Sequence, residues 1–425
     1  MKNPYHAYRK KMLYYDVNFA HPSEGGAEKL HQFGKKMLNL GYDDLYGWAM
    51  FLISNDHLAK REIEKGKFYL DELKQVADEK QGYPMVYWLM LDGNCQAFYF
   101  ANIDHCLKNA QHALNLYKSA NLDDQLVLYY ILQLHLVAFS MKGEIEQAFR
   151  CAIEALQCKL NKAFIARKAS TYSWLGNMEA EQTKNYKAAI FNFLKAAEIH
   201  KKNDNLAYYA SILTKLALLY CKIKKYDKAF ETIQDAISIA TERKMNYMVV
   251  TFHITLGIVY RLRHEYDQAQ ECFKLVQTAD IKIDPRELAN CYLETGHLYT
   301  DLDDYELAIH HFQQALTIYT DKEMDEDIFY ALITIAKMYL KKEQPAMMKK
   351  YIDQAESISP KIKNESYMVM FFEVYYRYFK MVEKYKEALE YVEKYIDLKD
   401  QLEKETTRLN LEVIEIKYET IRKYP

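Results

Sequence analysis

Along the second half of the chain, large and small apolar residues alternate in a fixed pattern. It reads Tyr186, Ala189, Phe193, Ala196, and then Tyr226, Ala229, Ile233, Ala236. The later copies are Tyr266, Ala269, Phe273, Val276; Tyr305, Ala308, Phe312, Ala315; and Tyr385, Ala388, Val392, Tyr395. A degenerate copy, Pro345, Met348, Ile352, Ala355, fills the one gap. These offsets lie on one face of an α-helix. Successive copies begin 40, 40, 39, 40 and 40 residues apart. A second helical pattern precedes each copy, seen in Leu216-Ala217 with Tyr220, Leu256-Gly257 with Tyr260, Thr295-Gly296 with Tyr299, Ile335-Ala336 with Tyr339 and Tyr375-Tyr376 with Phe379. Two amphipathic helices therefore recur in each unit, and each unit buries its apolar face only by stacking on the next. The small residues Ala217, Gly257, Gly296 and Ala336 mark where the two helices of a hairpin cross closely, with Ala229, Ala269 and Ala308 as the expected low-profile partners.

The paired patterns resemble the tetratricopeptide repeat family, which places Leu–small–x–x–Tyr on its first helix and Tyr–x–x–Ala–x–x–x–Phe–x–x–Ala on its second. Ser359-Pro360 also falls where that family often ends a repeat. The step exceeds the family's common 34 residues, so each helix gains nearly a turn, as in the longer repeats of bacterial signalling regulators. The expected fold is an all-α, right-handed α-solenoid of helical hairpins with a long C-terminal helix.

Upstream the pattern weakens. Leu136 and Phe139 followed by Ile145, Ala148, Ala152 and Ala155 make a fair repeat, and Ile103, Cys106, Ala110 and Ala113 a poor one. Residues 1–80 show helical patterns, such as Trp48, Phe51 and Leu52, without the diagnostic small residues, and read either as diverged repeats or as a separate helical cap. The expected divisions are an irregular region at 1–80, degenerate repeats at 81–165, an array of about six repeats at 166–396 and a terminal helix at 397–425. Leu175-Gly176 sits one residue out of register with Tyr186, which predicts a longer turn. Polar loops are expected at His200–Asn205, Lys244–Asn246 and Asp321–Asp327. In the tail, Leu402, Leu409 and Ile416 recur every seven residues beside Thr406, Val413 and Thr420. That seam suits either a homodimer contact or linker through the C-terminal helix, or a cap on the last repeat.

Composition narrows the function. Charge is balanced, 57 Lys+Arg against 59 Asp+Glu, so the bulk of the protein has no general attraction to nucleic acid or anionic membrane. Only 12 Gly and 7 Pro leave little for turn-rich β folds or a glycine-rich phosphate loop, so no nucleotide or other cofactor is expected. The N-terminus lacks the apolar core of a secretory signal, and the aromatic run Tyr367–Phe379 is too short and too charged to span a bilayer. Seven scattered cysteines without a C-x-x-C pair fit a reducing cytoplasm, and Cys151 and Cys158 read as packing residues. His264-Glu265 and the adjacent His310-His311 lack the spacing of a metal site, and no catalytic serine motif occurs. Most of the 38 tyrosines occupy the repeat's own packing positions rather than a base-stacking track, and Tyr8-Arg9-Lys10-Lys11 reads as a solvated terminus.

A non-enzymatic protein-binding or peptide-binding module remains. In the resembling family the first helix of each unit lines the concave face, and carrying its ligand-facing positions over selects Tyr130, Gln133, Ser211, Thr214, Thr251, Ile254, Asn290, His297, Tyr330, Lys337, Glu373 and Arg377. Hydrogen-bonding side chains dominate the middle of that set, and Lys337 and Arg377 are the expected contacts for an acidic group or terminal carboxylate. The resemblance implies a sensing or regulatory part of a bacterial cytoplasmic signalling protein. Its alternatives are a Rap-type regulator acting on a phosphorylated response regulator, with residues 1–80 as the helical bundle, or the sensor half of a diguanylate cyclase or histidine kinase. A helix-turn-helix in the first eighty residues is disfavoured by their aromatic character.

Overall fold

A computed structural model describes residues 4–18, 26–60 and 62–423. Among them are twenty α-helices and no strand. They form two compact units, residues 1–175 with 411–425, and residues 176–410. After α1 (Pro4–Asn18) and α2 (Gly26–Asn39), first and second helices alternate: α3 (Asp43–Ala59), α4 (Ile63–Lys80), α5 (Gly82–Phe98), α6 (Ile103–Ser119), α7 (Gln125–Lys142) and α8 (Ile145–Gln157). Then follow α9 (Lys168–Glu181), α10 (Tyr186–Lys202), α11 (Leu206–Lys222), α12 (Tyr226–Glu242), α13 (Asn246–Leu262) and α14 (Tyr266–Gln277). The last are α15 (Pro285–Asp301), α16 (Tyr305–Asp321), α17 (Asp325–Lys341), α18 (Pro345–Ile358), α19 (Glu365–Met381) and α20 (Tyr385–Lys423).

The second helices begin 39 to 42 residues apart from Ile63 through to Tyr385, so the period continues into the region that reads irregularly in the sequence. In the first unit α3 packs on α5 and α5 on α7, the same spacing of first helices as in the second unit. Its earliest hairpin does carry small residues. Ser54 is fully buried and its hydroxyl donates to the Gly66 carbonyl oxygen at 2.8 Å, while a Cβ on Gly66 would lie 2.6 Å from Leu58. Ser54 went unread because a polar residue carries no apolar periodicity, although as a hydroxyl with a local acceptor it serves the same close crossing.

One local device repeats at each turn from a first to a second helix from α5 onward. The residue two places before the second helix is left-handed: Ala101, Gly143, Lys184, Lys224, His264, Asp303, Glu343 and Glu383, with φ between 51° and 82°. In most of these turns the next N–H returns to a carbonyl five residues back, as Lys225 to Tyr220, Glu265 to Tyr260, Asp304 to Tyr299 and Gln344 to Tyr339. This geometry satisfies the last carbonyls of the first helix. At Asn185 the bond reaches Glu179, six residues back, which is the longer turn that the Leu175-Gly176 register predicts. Between units the helices run further than the composition suggests. His200 lies inside α10, Asn246 opens α13, and Asp325, Glu326 and Asp327 form the first turn of α17, where carboxylates suit the helix dipole.

The hairpin crossings correct one expectation. The small residue of the first helix faces the bulky seventh-offset residue of the second, not its alanine. A Cβ on Gly257 would lie 2.5 Å from the Phe273 ring, one on Gly176 would lie 2.9 Å from Phe193, and Gly296 faces Phe312 as closely. In the sequence glycine pairs with phenylalanine, whereas Ala217 and Ala336 occupy hairpins whose bulky residues are the smaller Ile233 and Ile352. All four bulky partners quoted from α12, α14, α16 and α18 are buried, at 0 to 1 % exposure. The volume of the pair is nearly constant from α9 to α18, as close packing demands, whereas the last hairpin has Tyr376 and Val392 at these positions.

In the tail the predicted seam keeps its register and turns inward. Within the second unit Leu402, Thr406 and Leu409 are half-buried and the Asn410 amide donates to the Thr183 carbonyl oxygen at 2.9 Å. Within the first unit Val413, Ile416 and Thr420 are buried, and Arg150 pairs with Glu419 at 3.0 Å. Ile416, 2 % exposed within its own chain, is therefore not an open dimer contact. Apolar surface on a helix is covered by the nearest matching face, here the chain's own.

The crossings give a direct test. Gly257→Ala is expected to destabilise the protein by about 1–3 kcal/mol, because the Phe273 ring must move. Gly257→Ala with Phe273→Ile, which recreates the Ala217 and Ile233 pairing, should recover most of that loss in a double-mutant cycle of denaturant unfolding. Additive losses would contradict the pairing.

Candidate ligand-binding face of the second unit

Because the period is nearly constant, the same face of each first helix recurs in register, and residues about 33 to 40 apart become neighbours. In the second unit α11 packs on α13, α13 on α15 and α17 on α19. Polar side chains join them in a ladder. Lys215 Nζ donates to Asn177 Oδ1 at 3.0 Å. Arg261 holds Asp301 at 2.8 Å and Glu294 at 3.3 Å. Tyr330 Oη and His297 Nε2 stand 3.4 Å apart. Lys337 reaches Glu373 at 3.1 Å, and the other oxygen of that carboxylate takes Arg377 at 2.7 Å.

The residues selected from the sequence divide into three groups. Asn290, His297, Tyr330, Lys337, Glu373 and Arg377 stand together on α15, α17 and α19. The first of these accepts the Tyr319 hydroxyl on Oδ1 at 2.8 Å, and the His297 ring meets Phe312 edge-on. Ser211, Thr214 and Thr251 lie on α11 and α13, where their hydroxyls donate to the carbonyls of Ala207, Ala210 and Met248, and Ile254 is buried. Tyr130 and Gln133 belong to the first unit. There the Tyr130 ring packs 5.3 Å from Phe51, and Gln133 donates to Thr171 Oγ1 at 2.9 Å. Lys337 and Arg377 are not an open cationic pair, since Glu373 already bridges them. An incoming carboxylate competes with that bridge.

Arg261, Glu294 and Lys215 belong to the face but escaped sequence reasoning. Their signal was a charge inside an otherwise apolar helix: Lys215 stands between Thr214 and Leu216, and Arg261 follows Tyr260 and precedes Leu262. A charge so placed needs a partner. The Arg261 side chain is 15 % exposed and its Nε is buried without a hydrogen-bond partner.

Burial governs the protonation of this face. It pushes the Lys215 ammonium down from its usual value. His297 is lowered mainly by burial, with Arg261 adding to the effect against Glu294 and Asp301. Tyr330 is raised by burial and then by Glu294. At neutral pH His297 is thus the uncharged ring that can accept from Tyr330. The thiols nearby are inert, Cys272 and Cys291 being pushed up to about 12 by burial. In the first unit Cys151 is likewise raised to about 12 and Cys158 to about 11, which fits packing. Among the described residues no group of three His, Cys, Asp or Glu is placed to hold a metal ion. Nor is any helix long and apolar enough to cross a membrane.

A histidine whose folded value lies below its unfolded one leaves the unfolded chain binding more protons, so stability present at neutral pH is lost as pH falls through 6.5. His135, His200 and His311 are lowered in the same direction, again by burial first. The thermal midpoint should therefore drop between about pH 7.5 and about pH 5.5, and His297→Gln should shrink that drop. An unchanged pH dependence in the variant would show that His297 titrates as freely in the fold as out of it.

Known proteins bear on the face as follows. The tetratricopeptide repeat family model matches residues 167–242 and 247–321. The transcriptional activator NprA of Geobacillus stearothermophilus is 26% identical over 245 residues, 55% of this chain and 58% of that protein. The response regulator aspartate phosphatase J of Bacillus subtilis is 26% identical over 134 residues, 32% of this chain and 35% of that protein. The chain thus spans from about a third to three fifths of the curated relatives it matches. Among solved structures, the apo form of RapI superposes with a TM-score of 0.62 at 17% identity, covering 84% of this chain and 97% of that one. The pairing of helices, the register of the crossings and these matches agree: the chain carries tetratricopeptide repeats, matched by the family model over residues 167–242 and 247–321, on a helical fold similar to that of RapI.

Proposed function

We propose that the protein is a non-enzymatic, cytoplasmic regulatory module that binds a peptide or protein segment along the first-helix face of its second unit. The observation that carries this reading is the ladder itself, in which the six first helices from α9 to α19 carry amide, guanidinium, imidazole, phenol, ammonium and carboxylate groups at the spacing of the repeat. An extended segment offers backbone donors and acceptors at regular intervals, and such a face can meet them at several repeats at once. The Glu373 bridge adds selectivity. A ligand carboxylate that replaces Glu373 between Lys337 and Arg377 restores the pairing of both cations, whereas a neutral group leaves the bridge intact.

A second reading has its own support. The likeness to aspartate phosphatase J and the RapI fold favour a regulator that acts on a phosphorylated response regulator. In the sensor-half reading the terminal helix would project as a linker, which the burial of Val413, Ile416 and Thr420 in their own unit disfavours.

Selection of peptides from a random display library on the full chain tests the first reading. Lys337→Glu and Asn290→Ala should each weaken the selected peptides about tenfold, near 1.4 kcal/mol. Peptides unaffected by both changes would remove it. Incubation with phosphorylated response regulators tests the second: unaltered phosphate loss removes that reading and leaves the first standing.

A further inference from the structure

The opposite chemistry gathers away from this face, where the turns between first and second helices line one edge of the second unit. Two successive turns carry six exposed lysines: Lys184 and Lys187, then Lys222, Lys224, Lys225 and Lys228. Lys184 and Lys224 occupy the left-handed position of their turns, with φ of 52° and 59°, and both are exposed. The third turn is balanced. Arg263 pairs with Glu265 at 2.6 Å and with Asp227 at 3.7 Å, so these two acids are already engaged. A cavity of about 590 Å³ lies between the second and third turns, lined by Lys224, Lys225, Tyr226, Asp227, Lys228 and the segment Leu262–Glu265. The fourth turn reverses sign with Asp301, Asp303, Asp304 and Glu306.

We infer that this lysine edge is a docking surface for a short acidic segment of a partner protein, separate from the first-helix face. The cations are almost all lysines, point charges that suit diffuse attraction to clustered carboxylates more than bidentate reading of a phosphate. Two rings of this edge are already covered, Tyr220 by Lys228 at 4.7 Å and Phe230 by Arg263 at 4.8 Å, which leaves Tyr226 in the cavity wall and no series of rings on which successive bases could stack. The positive field also ends abruptly. Adjacent helices pack about 10 Å apart, so a polyanion continuing along the edge soon meets the acidic fourth turn. A limited cluster of carboxylates fits, and a nucleic-acid strand does not.

The test is fluorescence anisotropy of a labelled glutamate-rich peptide against the full chain. Binding should appear at low ionic strength and weaken as salt rises. The double variant Lys224→Glu with Lys225→Glu should weaken it about tenfold or more. Lys341→Glu, an exposed lysine at the end of α17, should leave it unchanged, and circular dichroism should show equal helicity in all forms. Four results would overturn the inference: no binding at low salt; an equal loss with Lys341→Glu; tighter binding of single-stranded DNA than of the peptide; or self-association at low salt that the double variant abolishes, which would make the acidic turn of a second copy the occupant.

Discussion

Everything in this architecture depends on how closely the two helices of each hairpin cross. A phenylalanine or isoleucine from the second helix must enter the first helix at one position, and the residue there must shrink to admit it. Gly257 under Phe273 and Ala217 in the hairpin of Ile233 are two solutions with nearly the same summed volume. Because the sum is nearly constant from α9 to α18, these hairpins can keep a similar thickness and stack without accumulated mismatch. The left-handed turn complements this by fixing where the second helix starts. It does so with Lys, Asp, Glu or His in most repeats, at a cost of about 1 kcal/mol each that glycine would avoid.

The polar first-helix face is a consequence of that regularity. Constant thickness brings the same helical position of successive first helices side by side, and charged residues at those positions find partners one repeat away. Arg261 with Glu294 and Asp301, and Lys337 with Glu373 and Arg377, are products of the period as much as of the individual residues. These pairings offset the cost of burying the charges, with the Arg261 Nε left unpartnered. They also set the terms for any ligand, which must offer groups at least as good as those it displaces.

Much of this was legible in the sequence, and what was hidden has physical causes. The second helices from Tyr186 to Tyr385 announce themselves because their buried residues are apolar and periodic. Ser54 and Gly66 perform the same crossing in the first unit, but a buried serine satisfied by a neighbouring carbonyl looks polar in one dimension. The seam of Leu402, Leu409 and Ile416 was readable as an apolar stripe, but a stripe does not say which surface covers it. Asn290 and Lys337 stand on first helices, where the repeat's own numbering pointed. Arg261 and Lys215 lay at positions where only the three-dimensional neighbour reveals the purpose of a charge.

Hydrogen–deuterium exchange on the full chain, with and without a display-selected peptide, tests the account most directly. Slower exchange concentrated in α13, α15, α17 and α19, with α12, α14, α16 and α18 little changed, is the predicted result. Protection confined to the second helices, or to the first unit, would contradict a ligand seated on the first-helix face.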